Sequence, residues 1–481
     1  MTSAGDVPES APRGLVPVLV ATVAVVAVIS SLGAPLVPEI AATHDVPVHT
    51  AQWALTVTFL VGAVATPVLG RLGDGPHRRR VVLTALAVVV AGSALAALPL
   101  GFGWLVAGRA LQGMGLGLAP LAMATAREAL TGARQRAAIA ALSITVVAGV
   151  GLGYPVAGLA AELGGLHAAF WFGAAVAALA LVAGALVLPP SRAPGGRRID
   201  LPGALLLGTT LAAGLLVLSE GGAWGWTSPA VLGLAATALL GAAGWAGWAL
   251  RTPTPLVDLR LARGRSAATA HLASLLVGLT NYLLLSSATV FAQTPTASGY
   301  GFGASVVTAG LVLVPFSLAS VAASRAARAL SDRSGPHVAV PVGALLLAAG
   351  LGLYALTPSS LWTLGAVMAV AGLGTGAVFA LLPALVVSAV PPQETGSAMS
   401  LNQVLRYVGF ATGSAGTAAV LDAAATPGGA PAPWAFTALG LAGLGVGVLT
   451  ALVTWALPPR RGVPGGRPPA SPALSGRRRA G

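Results

Sequence analysis

Apolar runs of about twenty residues, each closed by a short polar stretch, recur along almost the whole chain. An α-helix rises about 1.5 Å per residue, so about 20 residues cross a hydrocarbon core ~30 Å thick. Inside that core every backbone polar group must be satisfied internally, which leaves helices or closed barrels. Barrel strands alternate apolar and polar side chains, whereas these runs are continuously apolar. They read as fourteen spans, at about 14–34, 50–70, 81–100, 104–124, 138–161, 167–188, 201–219, 229–250, 267–291, 304–324, 338–357, 361–388, 398–420 and 433–457. Only 8% of the residues are charged, about a third of the usual share in a soluble domain, so no stretch can solvate a domain of its own. The expected fold class is an all-α membrane protein with 14 transmembrane helices, and the first partner is the lipid bilayer. The polar start before Gly14 is short, and the run after it lacks a small-residue cleavage site, so it reads as a first span and not a removed signal peptide.

The arginines set the orientation. The formal net charge is +13, and all 26 basic residues are arginine. Alternate loops hold Arg71, Arg78, Arg79 and Arg80; Arg127, Arg134 and Arg136; Arg192, Arg197 and Arg198; Arg251, Arg260, Arg263 and Arg265; Arg325, Arg328 and Arg333. The tails add Arg13, Arg460, Arg461, Arg467 and Arg477–Arg479. Loops of the other parity carry only the acids Glu39, Asp45, Glu162, Glu220 and Asp422. Cytoplasmic loops of membrane proteins are enriched in arginine. Both termini are therefore expected in the cytoplasm, in a plasma-membrane protein with an even number of spans. A nucleic-acid binder would gather its charge on one folded face; here the clusters are spread between spans, and no nucleic-acid partner is expected.

Nothing in the sequence speaks for catalysis. There is no HExxH, no GxSxG and no pair of carboxylates, and the six histidines are scattered. The absence of cysteine removes disulfides and thiolate metal sites. The absence of lysine removes the lysine of a phosphate-binding loop, so no cofactor, metal or nucleotide is expected and the protein is not read as an enzyme. The runs "GMGLG", "GVGLG" and "GLGTG" lack the strand and turn of a nucleotide fold. Gly113/Gly117 and Gly149/Gly153 instead have the four-residue spacing that lets membrane helices approach closely. Pro155 leaves the carbonyl of Gly151 without its helical partner, which predicts a kink there.

An internal repeat divides the chain. "LVAGRALQGMGLG" (Leu105–Gly117) aligns without gaps on "LGAVMAVAGLGTG" (Leu364–Gly376) at an offset of 259 residues, and "LGD" (Leu72–Asp74) on "LSD" (Leu330–Asp332) at 258. The expected organisation is a tail at 1–13, a six-helix half at 14–188, two inserted helices at 201–250, a second six-helix half at 267–457 and an Arg/Pro-rich tail at 458–481. In transporters built from two such halves the substrate site lies near the midplane between them.

At these residues the chain resembles the major facilitator superfamily, in its fourteen-helix drug:proton antiporter branch. "GRLGDGPHRRRVVL" resembles the family's loop 2–3 motif, with Gly70, Leu72, Asp74, Arg78 and Arg79 matching. "ALSDRSGPH" is a degenerate second copy that keeps Asp332, Arg333 and Gly335. "LVAGRALQGMGLG" resembles the span 4 motif through Arg109, Gln112, Gly113 and Gly117. "GVGLGYPVAGL" resembles the span 5 antiporter motif through Gly149, Pro155 and Gly158, with Tyr154 and Leu159 at positions where the motif has glycine. "PLVDLRLARGR" (Pro255–Arg265) resembles the loop before span 9. The resemblance covers about 14–460.

What the resemblance implies is a secondary active exporter of hydrophobic or amphipathic small molecules, coupled to protons, monomeric and working by alternating access. Gly70, Asp74, Arg78, Asp332 and Arg333 would form a conformational latch. Gly149, Gly153, Pro155 and Gly158 would provide packing and a kink. Arg109, Gln112 and Arg406 lie within spans, where a charged residue faces a cavity or a partner; Arg109 is also near enough to the span end to snorkel. One departure stands out. The branch carries an aspartate in span 1, but this chain reads "AVISSLGAPLVPEI", with Ile29 at about that position and no acid before Glu39. The remaining proton-coupling candidates are Glu39, Glu162 and Asp422, with Arg109 able to hold one of them charged. Uptake or uniport of a small metabolite is the alternative function, and a polytopic membrane enzyme or lipid flippase a remote one.

Overall fold

The computed structural model describes residue 12 and residues 14–73, 75–191, 200–262, 264–388, 395–426 and 430–455. Asp74 and both tails, 1–11 with 13 and 456–481, lie outside the described residues. In chain order the helices are α1 (Leu15–Ser31), α2 (Val37–His44), α3 (Val48–Ala51), α4 (Trp53–Gly73), α5 (Arg78–Ala97), α6 (Phe102–Gly113), α7 (Leu118–Ala129), α8 (Gly132–Val187), α9 (Leu201–Trp224), α10 (Pro229–Arg251), α11 (Arg265–Gln293), α12 (Val306–Val312), α13 (Val314–Ser334), α14 (Pro336–Ala355), α15 (Leu361–Ser388), α16 (Thr395–Ala423) and α17 (Trp434–Trp455). No strand occurs among the described residues, which hold one isolated bridge, Ala425 to Pro431.

Among the described residues eleven stretches are helical, long and apolar enough to cross a membrane. The other three expected runs also fall on helix. The run at 104–124 is divided between α6 and α7 by a tight 3₁₀ turn at Met114–Gly117. The run at 398–420 lies on α16, which carries Asn402, Gln403 and Arg406. The run at 138–161 lies on the first of two helices that meet within α8 at a kink, and its successor lies on the second. The non-helical residue inside α8 is Gly165, at φ 74°, in the left-handed region that favours glycine. Pro155 lies inside α8 with helical dihedrals, as its fixed φ allows, and leaves one backbone hydrogen bond unmade.

Two cores form. Leu19, Val23, Leu86, Leu116 and Phe170 belong to the first, and Val277, Leu284, Leu347, Met368 and Phe436 to the second. The first core also takes in Tyr407, Ala411 and Ala415 of α16, and the second takes in Tyr154 of α8, so the halves are joined through α16 and α8. The pair α9–α10 flanks the first core, to which α9 contributes Ala204, Leu207 and Leu215: α9 packs on α4 and α16, and α10 packs on α9. An apolar cavity of about 300 Å³, walled partly by Leu60, Leu211, Leu215 and Val408, lies where α9 meets α4 and α16.

The surface is lipid-like. Leu163 and Leu186 are each 80% exposed, and α9–α10 expose Leu205, Leu232, Leu239 and Leu240. In water each such leucine would forgo roughly 1.5–3 kcal/mol of burial, a loss that hydrocarbon removes. Exposed Trp104, Trp224, Trp226, Trp362 and Trp434 all lie at helix ends or connections on one side, away from the arginine-rich loops, as in an interfacial aromatic belt. Below, "arginine side" denotes the side of those loops and "opposite side" the other.

Candidate functional site

The buried polar centre of the first half is built around Arg109, which is fully enclosed on α6. Its Nε donates to the carbonyl of Ala54 at 2.9 Å, and its Nη1 to the carbonyl of Ile29 at 3.2 Å and to Gln112 Oε1 at 2.5 Å. Gln112 Nε2 in turn donates to Ser93 Oγ at 2.9 Å. One guanidinium thereby ties α1, α4, α5 and α6 together. Arg109 does not snorkel to the interface, because these carbonyls satisfy it at depth. Nor does it hold Glu39, Glu162 or Asp422: its partners are carbonyls and an amide, and Nη2 has no partner. Ile29, at the position of the family's span 1 aspartate, supplies a backbone carbonyl where a carboxylate would stand. The glycines of the same motif allow the approach, since a Cβ on Gly113 would lie 2.4 Å from the carbonyl oxygen of Thr58.

In the second half Arg406 sits on α16, partly exposed, its guanidinium carbon 5.2 Å from the centroid of Phe379 and 5.9 Å from that of Tyr407. Its Nε has no partner. Beside it Gln403 Nε2 donates to Tyr407 Oη at 3.1 Å, and Tyr407 Oη donates to the carbonyl of Leu116 at 3.3 Å, across to the first half. Asn402 faces elsewhere: it accepts from Ser274 Oγ at 3.0 Å and donates to the carbonyl of Ala270, an α11–α16 tie. Phe59 of α4 meets Tyr282 at 4.3 Å and Phe410 at 5.2 Å between ring centroids. Sequence reasoning singled out Arg406 but not the aromatic cluster beside it, because which faces converge depends on helix packing.

A set of bonds joins the halves on the opposite side. Thr289 Oγ1 donates to the carbonyl of Ala34 at 3.0 Å, and Gln293 Nε2 to that of Pro35 at 2.9 Å. Glu162 accepts from the backbone N–H of Val307 at 3.0 Å, capping the start of α12. His49 Nδ1 and Asp422 Oδ1 pair at 3.0 Å between α3 and α16. Gln52, Thr56 and Ser414 continue this contact inward. Gly158 and Gly310 let α8 and α12 touch: a Cβ on Gly158 would lie 2.9 Å from the carbonyl oxygen of Val306, and one on Gly310 2.8 Å from that of Tyr154. A Cβ on Gly153 would lie 2.5 Å from Ser31 Oγ on α1. The surroundings of Gly149 lie outside the described residues. Glu39 is part-buried on α2 and is not among the residues that bridge the halves here.

On the arginine side Arg78 is 8% exposed and turned inward. It donates to the carbonyl of Gly73 at 2.7 Å and forms an ion pair with Glu128 of α7. Glu128 was missed by sequence reasoning, although an acid within an arginine-rich loop was a visible exception. Gly70 leaves open space where a Cβ would be. Asp332 and Arg333, the second copy, are exposed in the last turns of α13. Asp200, also missed, caps α9 by accepting from Gly203 N at 2.9 Å, and it also accepts from Trp248 Nε1 at 2.9 Å and Leu256 N at 3.0 Å, fixing the inserted pair. In the adjoining loop, burial would raise the Asp258 carboxyl, but hydrogen bonds from Arg260 and the nearby charge of Arg71 outweigh it and hold it below the usual carboxylate range.

The sequence profile of the Major Facilitator Superfamily matches residues 18–414 and, in a second match, 270–480. The chain is similar to the multidrug resistance protein B homolog of Mycobacterium tuberculosis, 30% identical over 382 residues, covering 76% of this chain and 67% of that protein. It is 29% identical over 376 residues to the tetracenomycin C resistance and export protein of Streptomyces glaucescens, covering 75% and 67%. Among solved structures a peptide transporter shares the fold, with a TM-score of 0.64 at 16% identity over 92% of this chain and 94% of that one.

Proposed function

The chain belongs to the Major Facilitator Superfamily, and from that premise we propose that it exports small hydrophobic or amphipathic molecules by alternating access and proton antiport. In this reading fourteen helices cross the plasma membrane, both termini and the arginine side are cytoplasmic, and the protein works as a monomer. Two halves, 14–188 and 267–457, rock about a central site, and 201–250 forms the inserted pair. The observation that carries the reading is the pairing of a polar and aromatic centre, drawn from both halves, with a seam of inter-half bonds that gathers at helix ends on the opposite side. That arrangement suits a state closed toward the outside. The multidrug resistance and tetracenomycin export functions named for relatives support export over uptake.

Glu162 and Asp422 suit proton coupling better than Glu39, because each contributes charge to the outer seam. A proton arriving from outside would neutralise such a carboxylate and weaken the closure it supports. On the cytoplasmic side Asp74, Arg78, Asp332 and Arg333, with Gly70 in the last turn of α4, serve as the latch of the alternative state, and Arg78 is seated for it by Glu128. Gly153, Pro155 and Gly158, with Gly149, keep α8 thin enough to pack on α1 and α12. Arg109 and Gln112 hold the first half rigid as it moves.

Dye efflux into everted membrane vesicles under an imposed pH gradient tests this reading, in the wild type and in Glu39→Gln, Glu162→Gln and Asp422→Asn. Gradient-driven transport that fails in Glu162→Gln or Asp422→Asn is expected. Transport indifferent to the gradient would remove antiport in favour of uniport, and full gradient response in all three variants would remove these acids as the coupling groups.

A further inference from the structure

We propose that the central site takes aromatic anions, with Arg406 as the group that binds the negative charge and the rings of Phe379 and Tyr407 as the platform beside it. This rests on the export reading for its physiological meaning, but the binding it requires can be measured without transport.

Three observations converge. The first is Arg406 itself. It lies in the middle of α16, partly exposed, flanked by two rings and with an unpartnered Nε. The ion pairs seen among the described residues, His49–Asp422, Arg78–Glu128 and Arg260–Asp258, all lie at helix ends or in loops. Arg406 has no carboxylate partner among the described residues. A guanidinium resting on aromatic faces can still offer N–H groups, here the unpartnered Nε, and its edge matches a carboxylate in a planar, two-bonded fashion.

The second is Arg109. It adds a further fixed positive charge at depth, and its partners are neutral. The third is the distribution of acids. The nine among the described residues lie in connections, near helix ends or, for Glu162, three residues before the kink of α8 at Gly165. Ile29 stands where an acid would have balanced Arg109, and it offers only its carbonyl. Arg109 within the first half and Arg406 at its junction with the second therefore carry positive charge that no carboxylate among the described residues neutralises. Inside a membrane such charge is retained where it meets a ligand or pathway. Like charge against like disfavours cationic compounds, and an anion supplies the missing partner. The rings of Phe379, Tyr407 and Phe410 select flat aromatic bodies, whose stacking is favourable. The membrane potential, negative inside, also favours the exit of an anion. Charge on the substrate then contributes to the driving force in a chain that has no acid in span 1.

Two dyes with one ring system and opposite charge test the proposal: fluorescein, an anionic xanthene, and a rhodamine ester, a cationic one. Binding to the purified full-length protein in detergent is read by fluorescence polarisation. A hydrogen-bonded charge contact is worth about 1.5–3 kcal/mol, or roughly 10- to 100-fold in affinity. Wild type is expected to bind fluorescein at least about tenfold more tightly than the rhodamine ester. Arg406→Gln should lose about tenfold or more for fluorescein and nothing for the rhodamine, while Arg406→Lys keeps most of the preference. The wild-type comparison stands even where a variant fails to fold. Equal binding of both dyes, binding of neither, preference for the rhodamine, or equal weakening of both by Arg406→Gln overturns the proposal. Charge-selective binding without movement of either dye in everted vesicles keeps the site and removes the export reading. Movement of the rhodamine alone keeps export and overturns the anion assignment.

Discussion

Replacing Gly158 by alanine should push the transporter toward its outward-open state. In the closed seam the added methyl carbon would lie 2.9 Å from both the carbonyl oxygen of Val306 and the Cα of Val307, where ordinary contact is 3.4–4 Å. The obstruction is backbone, so it cannot turn aside as a flexible side chain would. The helices must separate by roughly half an ångström or more, and overpacking of this kind costs about 1–3 kcal/mol. The contact exists only while α8 and α12 touch, so the cost falls on the closed state and shifts the equilibrium by about 5- to 150-fold. The chain has no cysteine, so spin labels can be placed at Thr43→Cys and Thr296→Cys, which are exposed on the opposite side in different halves. Pulsed dipolar distance measurements should show the longer separation gaining population in Gly158→Ala. Gly445→Ala, whose methyl would meet nothing within 4 Å, should leave the distribution unchanged. A Gly158→Ala distribution that superimposes on the parent's would refute the reasoning.

Three further outcomes follow from the geometry. Asp200→Ala strips the acceptor from Gly203, Trp248 and Leu256, at about 1 kcal/mol per bond, and should lower the melting temperature in detergent, with Asp200→Asn milder; an unchanged melting curve would show that the inserted pair does not depend on this residue. Arg78→Gln and Glu128→Gln should be strongly non-additive in a stability cycle, with a coupling of about 1 kcal/mol or more, since the pair is mostly buried; additive effects would make it inert. Impermeant maleimide applied to intact cells should label Asp45→Cys and not Gly264→Cys, and labelling at Gly264 would break the fourteen-crossing topology.

The helical architecture was legible because bilayer thickness imposes run length. The partners were not. Arg109 could be read as a charge inside a span, but its acceptors are the carbonyls of Ala54 and Ile29, and every residue offers a carbonyl. Asp422 could be read as an acid at a helix end, yet its pairing with His49 depends on two helices far apart in sequence. Gly158 was visible through its motif, whereas the helix it admits, α12, was not. Phe59, Phe379 and Phe410 looked like ordinary lipid-facing or core residues until packing brought them beside Tyr282 and Arg406.

The central claim is that a proton gradient alone moves a small molecule through this protein. The most direct measurement is simultaneous recording of proton and substrate flux in ATP-free proteoliposomes holding the purified chain. An imposed gradient should drive substrate against the direction of proton flow, and a protonophore should stop it. Substrate flux that is unaffected by the gradient, or proton entry that does not accelerate when substrate is added, would contradict the account.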